Sequence, residues 1–254
     1  MASREGVCNI CVQWGKLSFE HVPPESAFND RKVVVPDINR VLQLDDLDQV
    51  ESLPGKQLQR GEGGYTLCIS CNTRTGHLYG SAYASWVYQG ASYLHSARGR
   101  STVLAYPYHL FPSRVLKQIA CMFFSINPSR FQQKQSDLVR FALNRDAKHL
   151  PPALRFFVGY IRSPISRRSA VSAALNTETG VTRLMSELTF YPFAYILSLN
   201  GHEPTHPMLE ITWFRHAGHN DFRSLHLPIP TLDAYTPFPG DFRARDQVLR
   251  ESAA

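Results

Sequence analysis

The residues best suited to chemistry in this chain lie in and beside two cysteine pairs. Cys8-Asn9-Ile10-Cys11 and Cys68-Ile69-Ser70-Cys71 are Cys-x-x-Cys knuckles, a spacing that lets two thiolates converge on one ion while nearby backbone amides hydrogen-bond the sulfurs. Four thiolates close a tetrahedral Zn²⁺ site with Zn–S of about 2.3 Å and no position left for substrate. Such an ion is structural, and in small zinc domains its binding is worth about 10–16 kcal/mol. Two unrelated pairs, one of them redox-active, is the competing reading. The first pair leads into Leu17-Ser18-Phe19-Glu20-His21-Val22-Pro23-Pro24, and the second runs directly into Asn72-Thr73-Arg74-Thr75-Gly76-His77. Closure around zinc would therefore bring Glu20, His21 and Asn72 together. A carboxylate and an amide oxygen are hard ligands suited to Mg²⁺ or Mn²⁺. A histidine beside them can deprotonate water near neutral pH, and free amides at a helix start favour phosphate. These are the parts of a metal-assisted phosphodiesterase.

The arrangement resembles the zinc-stapled form of the HNH endonucleases, the ββα-metal or His-Me finger nucleases. The resembling residues are Cys8-x-x-Cys11, Glu20-His21-x-Pro23 and Leu67-Cys68-x-x-Cys71-Asn72-x-x-x-Gly76. The resemblance implies a ββα-metal module in which Glu20 and Asn72 hold a catalytic Mg²⁺ or Mn²⁺ and His21 is the general base. It implies hydrolysis of phosphodiester bonds in nucleic acid, DNA ahead of RNA, with the ion neutralising charge on the scissile phosphate and the leaving 3′ oxygen. It covers residues 8–88 and is silent on 101–254. Two features depart from the family. Gly63 stands where an asparagine or similar residue usually orients the base, so it offers a carbonyl but no side chain. A long acidic insertion, residues 25–62, separates the two halves.

The elements that must position these groups follow from the pattern around them. The insertion runs from Glu25 through Asp45-Asp46-Leu47-Asp48 to Gly61-Glu62-Gly63-Gly64, and its Pro, Asp and Gly content predicts an irregular excursion. Within it, Lys32-Val33-Val34-Val35-Pro36 reads as a short strand stopped by proline. Tyr79, Tyr83, Trp86 and Val87 recur at helical spacing, with Gly90 as a plausible end. Ser113 can cap a helix whose face is Val115, Leu116, Ile119, Ala120 and Phe123, leaving Arg114, Lys117 and Gln118 off it. Asn127-Pro128 stops that helix. Ser136 or Asp137 opens another, with Leu138, Phe141 and Ala142 inward and Arg140 and Arg145 outward. Beyond Pro151-Pro152, strands are expected over 154–161, 188–199, 209–215 and 224–227, with Thr177-Glu178-Thr179-Gly180 able to join two more. The fold class is α+β, with a zinc module at 1–100 and an α+β domain at 101–254 that carries basic helices and a mostly antiparallel sheet.

Charge is concentrated. Of 27 Lys/Arg and 21 Asp/Glu, residues 114–168 hold eleven cations against Asp137 and Asp146 only. Such an excess attracts polyanions, and a solvated helix face is the plainer reading. Arg162, Arg167 and Arg168 form the tightest basic cluster and, with Arg74, are the expected backbone contacts. His77 would meet phosphate or serve as a further ligand, with a surface or packed histidine the default. His202, His206, His216, His219 and His226 read as scattered loop histidines ahead of a second metal site. Cys121 reads as a small core residue, and the aromatic face Tyr191, Phe193, Tyr195 as core ahead of base stacking.

The composition, 43% apolar and 19% charged, is that of a folded protein. No apolar run is long enough for a membrane span. The N-terminal residues lack the apolar core of a secretory leader, and the cysteines read as reduced, so a cytoplasmic protein is expected. No phosphate loop and no nucleophile elbow are present, which removes nucleotide-driven motors and serine hydrolases. Two functions remain. One is a metal-dependent endonuclease suited to a defence or phage-conflict setting. The other is an inactive zinc module that binds nucleic acid, or a protein partner through residues 101–254.

Overall fold

The computed structural model describes residues 4–44, 47–97, 102–163, 165–175 and 180–252. Asp45, Asp46 and the 176–179 turn lie outside the described residues. The chain opens with strands β1 (Arg4–Val7) and β2 (Trp14–His21), joined through the first cysteine knuckle. A two-stranded excursion follows, β3 (Val33–Pro36) paired with β4 (Gly55–Leu58), with the single turn α1 (Ile38–Val41) between them. This is the expected insertion, with its strand stopped at Pro36. Strand β5 (Gly63–Cys68) then returns antiparallel to β2, giving a three-stranded sheet in the order β1-β2-β5.

From β5 the chain turns straight into α2 (Ile69–Thr75). It passes through a π-helical turn at Gly76–Gly80 and continues as α3 (Ser81–Ser96). The helix therefore does not end at Gly90. A Cβ at that position would come within 2.2 Å of the Phe193 ring, so glycine here admits the large sheet against the helix. Tyr79, Tyr83, Trp86 and Val87 are buried, as their spacing predicts. Trp86 stacks on Phe193 at 4.8 Å and donates from Nε1 to the Tyr195 hydroxyl at 2.9 Å. Phe193 and Tyr195 are thus core, whereas Tyr191 stays exposed.

After β6 (Val103–Leu110), helix α4 (Pro112–Ile126) is the centre of the molecule. Its burial extends all round, so the expected polar face does not exist: Lys117 and Gln118 are buried. An ammonium there needs partners. Lys117 Nζ donates to the carbonyls of Phe141, Asn144 and Ala147, closing the end of α6 (Ser136–Leu143). A short helix α5 (Ser129–Lys134) follows the Asn127-Pro128 stop. Asn127 also donates to Ser186 and accepts from the Val171 amide, tying α4 to the large sheet.

That sheet contains β7 (Arg155–Ile161), β8 (Arg167–Leu175), β9 (Thr182–Phe190), β10 (Phe193–Ser198), the two-residue β11 (Leu209–Glu210) and β12 (Arg223–Leu232). The order is β6-β12-β7-β10-β9-β8 with β11 on β7, and every pairing is antiparallel except β12 with β7. A final helix, α7 (Arg245–Ser252), ends the described chain. The class is α+β. Three strand expectations need correction. The 188–199 run is not one strand, because it turns at Tyr191-Pro192 from β9 into β10. The 209–215 run is mostly a 3₁₀ turn, Thr212–His216. Strand β12 continues past Leu227 through Pro228 and Pro230. There the Thr231 amide donates toward β6, so the two prolines face the side where β7 pairs only at Thr231 and Leu232. One continuous core runs from Cys8 to Ile229, so the 100/101 boundary divides the sequence but not the packing.

Candidate functional site

The four cysteines gather where the small sheet meets α2. The first knuckle turns through Val12 at φ 59°, with its amide donating to the Cys8 carbonyl at 2.9 Å. In the second, Cys68 caps α2 and its sulfur accepts from the Cys71 amide at 3.5 Å. All four sulfurs lie within 4.8 Å of one another. A tetrahedron with metal–sulfur bonds of about 2.3 Å has edges of about 3.8 Å, and Cys11 and Cys68 are separated by 3.9 Å. The donor set and spacing fit a closed metal site. The crowding also polarises the thiols: the Cys71 thiol holds Cys8 down to about 4, and Cys8 together with burial pushes Cys71 up. Asn9, inside the first knuckle, donates to the Phe124 and Asn127 carbonyls and anchors the cluster to α4. Cys121 is buried apart from it, its thiol pushed up by desolvation.

Glu20, His21 and Asn72 come to the same small sheet but not to one point. Successive strand residues face opposite sides, and β2 follows this beyond the register shift between Ser18 and Phe19. Glu20 turns inward, where its carboxylate accepts from Ser125 of α4 at 2.5 Å and from Thr66 at 3.3 Å. It is 7% exposed, and burial pushes its pKa up to about 7. His21 faces the other side, where its Nε2 meets the Arg60 carbonyl at 2.7 Å. Its ring packs edge-on to Phe19 at 5.0 Å, and Phe19 packs on Tyr65 at 5.5 Å. Arg4 lies over Tyr65 at 5.0 Å, giving this outer face aromatic rings and a cation. Asn72 on α2 donates from Nδ2 to the Ser18 hydroxyl and the Phe19 carbonyl, which leaves its amide oxygen as an acceptor.

Gly63 pairs with His21, and a Cβ there would come within 2.1 Å of the Glu20 carbonyl and 2.9 Å of the Phe19 ring. The missing side chain is thus a steric requirement. The carbonyl that orients His21 belongs to Arg60, a contact the sequence does not announce. Nor does it announce Ser125, which lies 105 positions from Glu20.

Much of the basic segment is engaged internally, while Arg130, Lys134, Arg140, Arg145 and Lys148 stay exposed. Arg167, expected to meet nucleic acid, is instead buried: its Nε bonds Glu187 at 2.7 Å and its Nη1 bonds the carbonyls of Thr236, Phe238 and Asp241. Arg168 pairs with Glu62 at 2.8 Å, tying the insertion to β8, and Arg162 is half-buried just beyond β7. Arg155 pairs with Glu210, and Arg114 holds the His219 carbonyl. Arg74 remains near the surface, bonded to the Leu143 carbonyl at 2.9 Å. His77 lies in the π-turn and lines the same groove as Arg74. Among the described residues, the four cysteines are the one group of three or more His, Cys, Asp or Glu ligands close enough to share an ion. No helix among the described residues is long and apolar enough to cross a membrane. No family model, curated protein or solved structure matches the chain.

Proposed function

We propose that this chain is a zinc-stapled endonuclease of the HNH type, hydrolysing phosphodiester bonds in nucleic acid with His21 as the general base. The observation that carries the reading is the hydrogen bond between His21 Nε2 and the Arg60 carbonyl. A carbonyl can only accept, so Nε2–H donates to it, and in the neutral ring the lone pair then sits on Nδ1. The ring is thus held in the tautomer that takes a proton from attacking water. Two further features support it: the order β2, β5, α2 with thiolates at its base, and Asn72 in the first turns of α2. The stapling ion is Zn²⁺, since four thiolates at tetrahedral spacing are its preferred set.

A catalytic Mg²⁺ or Mn²⁺ fits less well. It would supply charge neutralisation at the phosphate, but the Glu20 carboxylate is buried against Ser125 and Thr66, and only the Asn72 oxygen is available. The two do not make an ion site as folded. The burial of Glu20 favours the second reading, an inactive zinc module that binds nucleic acid. Incubation of wild type and His21→Ala with single-stranded and duplex DNA separates them. Cleavage that His21→Ala loses supports the nuclease. Intact substrate under every condition, with binding that weakens steeply in salt, supports the inactive module.

A further inference from the structure

Once internal partners are counted, the basic excess of residues 114–168 leaves a pattern that the sequence hides. Arg140 and Arg145 remain exposed, and together with Arg74 they border a groove of about 700 Å³ between the α2 run and α6. Leu78, Val139 and Leu143 also line it, and each is the half-buried outer layer of the core. The groove therefore joins an apolar lining to three guanidinium groups. Of the acids, Asp146 lines the groove and lies 3.4 Å from Arg145, whereas Asp137, 3.8 Å from Arg140, lies outside the lining, so three guanidinium groups face one carboxylate there. Arg74 is held in place by the Leu143 carbonyl, which fixes its reach across the groove. One wall includes the π-turn at Gly76–Gly80, a helical irregularity often found at functional sites.

We infer that this groove binds single-stranded nucleic acid, with the arginines on backbone phosphates and an unpaired base against the apolar lining. A duplex would satisfy the arginines but leave the apolar surface unused, because its bases are stacked and paired. A single strand offers both parts at once. The inference deepens the nuclease reading by naming the form of its substrate, and it borrows from that reading only the class of ligand.

The test is fluorescence anisotropy of a labelled 12-mer oligodeoxynucleotide, single-stranded and as duplex, across a salt series. Wild type should bind the single strand more tightly than the duplex. The double variant Arg140→Ala/Arg145→Ala should bind at least tenfold more weakly. Its salt slope should fall by about 1.4, two phosphate contacts at about 0.7 each. Arg223→Ala, which removes an exposed cation paired with Asp221 on β12, should change neither. No binding by wild type, a preference for duplex, or a double variant that matches Arg223→Ala would overturn the groove. Continued cleavage by His21→Ala would instead remove the catalytic assignment and leave the groove standing.

Discussion

At one end of the β1-β2-β5 sheet, four sulfurs from two chain segments lie within 4.8 Å of one another. Glu20 and His21 at the far end of β2, and Asn72 beside the cluster on α2, reach three different surroundings. The contrast has a physical origin. Each cysteine pair is fixed by its own tight turn or helix start, so convergence needs only that β2 and β5 pair. The oxygen and nitrogen groups depend on which face of a strand they occupy and what covers that face. For Glu20 the cover is α4, and its Ser125 turns a prospective ligand into a buried acid. Short-range geometry is robust, whereas a site assembled from strand faces is decided by distant packing.

The largest break in this comparison comes from the sulfur end. Cys8→Ser should abolish bound zinc, measured by elemental analysis, and with it cooperative thermal unfolding. The linked energy, about 10 kcal/mol or more, is comparable to the whole stability of a domain, about 5–15 kcal/mol. A variant that melts as wild type would mean that the cluster holds no ion.

The next effect is smaller and depends on pH. Burial raises the Glu20 carboxyl from 4.5 to about 7, so the fold opposes its ionised form. Below the unfolded value both states are protonated and no penalty exists. Between there and about 7 the unfolded chain releases its proton first, so stability falls as pH rises, and above that the penalty is constant. Glu20→Gln should therefore be more stable than wild type at pH 8, by up to about 3 kcal/mol at 1.36 kcal/mol per pKa unit. Denaturant melts should show the gap closing toward pH 4.5. A gap that is independent of pH would mean Glu20 is ionised in the fold and open to solvent or metal.

Gly63→Ala sharpens the comparison at the His21 end. Its Cβ would meet the Glu20 carbonyl, so β2 and β5 must part locally, at a cost of about 1–3 kcal/mol. Denaturant melts measure that cost, and hydrogen exchange at the Glu20 and His21 amides should rise while zinc content stays constant. Unchanged exchange would mean the pairing tolerates a side chain there.

How much of this was legible depends on range. The cysteine cluster, the β3 strand, the buried face of α3 and the inward set Leu138, Phe141 and Ala142 of α6 all follow from local spacing, and the structure has them. What local spacing misreads is burial. Lys117 and Gln118 look like a solvent face because of their chemistry, yet α4 is surrounded, and Lys117 is accommodated by three carbonyls from one region of chain. Arg167 looks like a phosphate contact and is a buried clamp on Glu187. Gly90 and Pro228 look like stops, because what makes them tolerable is contributed by Phe193 and by the late arrival of β7. At the candidate site, residue types were legible, but the strand face of Glu20 and the Arg60 carbonyl were not.

The smallest effect on stability accompanies the largest expected effect on activity. His21 lies on the outer sheet face, and His21→Ala, which removes the bond to the Arg60 carbonyl and the contact with Phe19, should cost about 1 kcal/mol of stability. The most direct measurement is phosphodiester cleavage by this variant, alongside its zinc content and melting curve. Cleavage lost with zinc and cooperative melting retained is the predicted result. Cleavage at the wild-type rate would contradict the account, because the residue held by the Arg60 carbonyl would then take no part in the reaction.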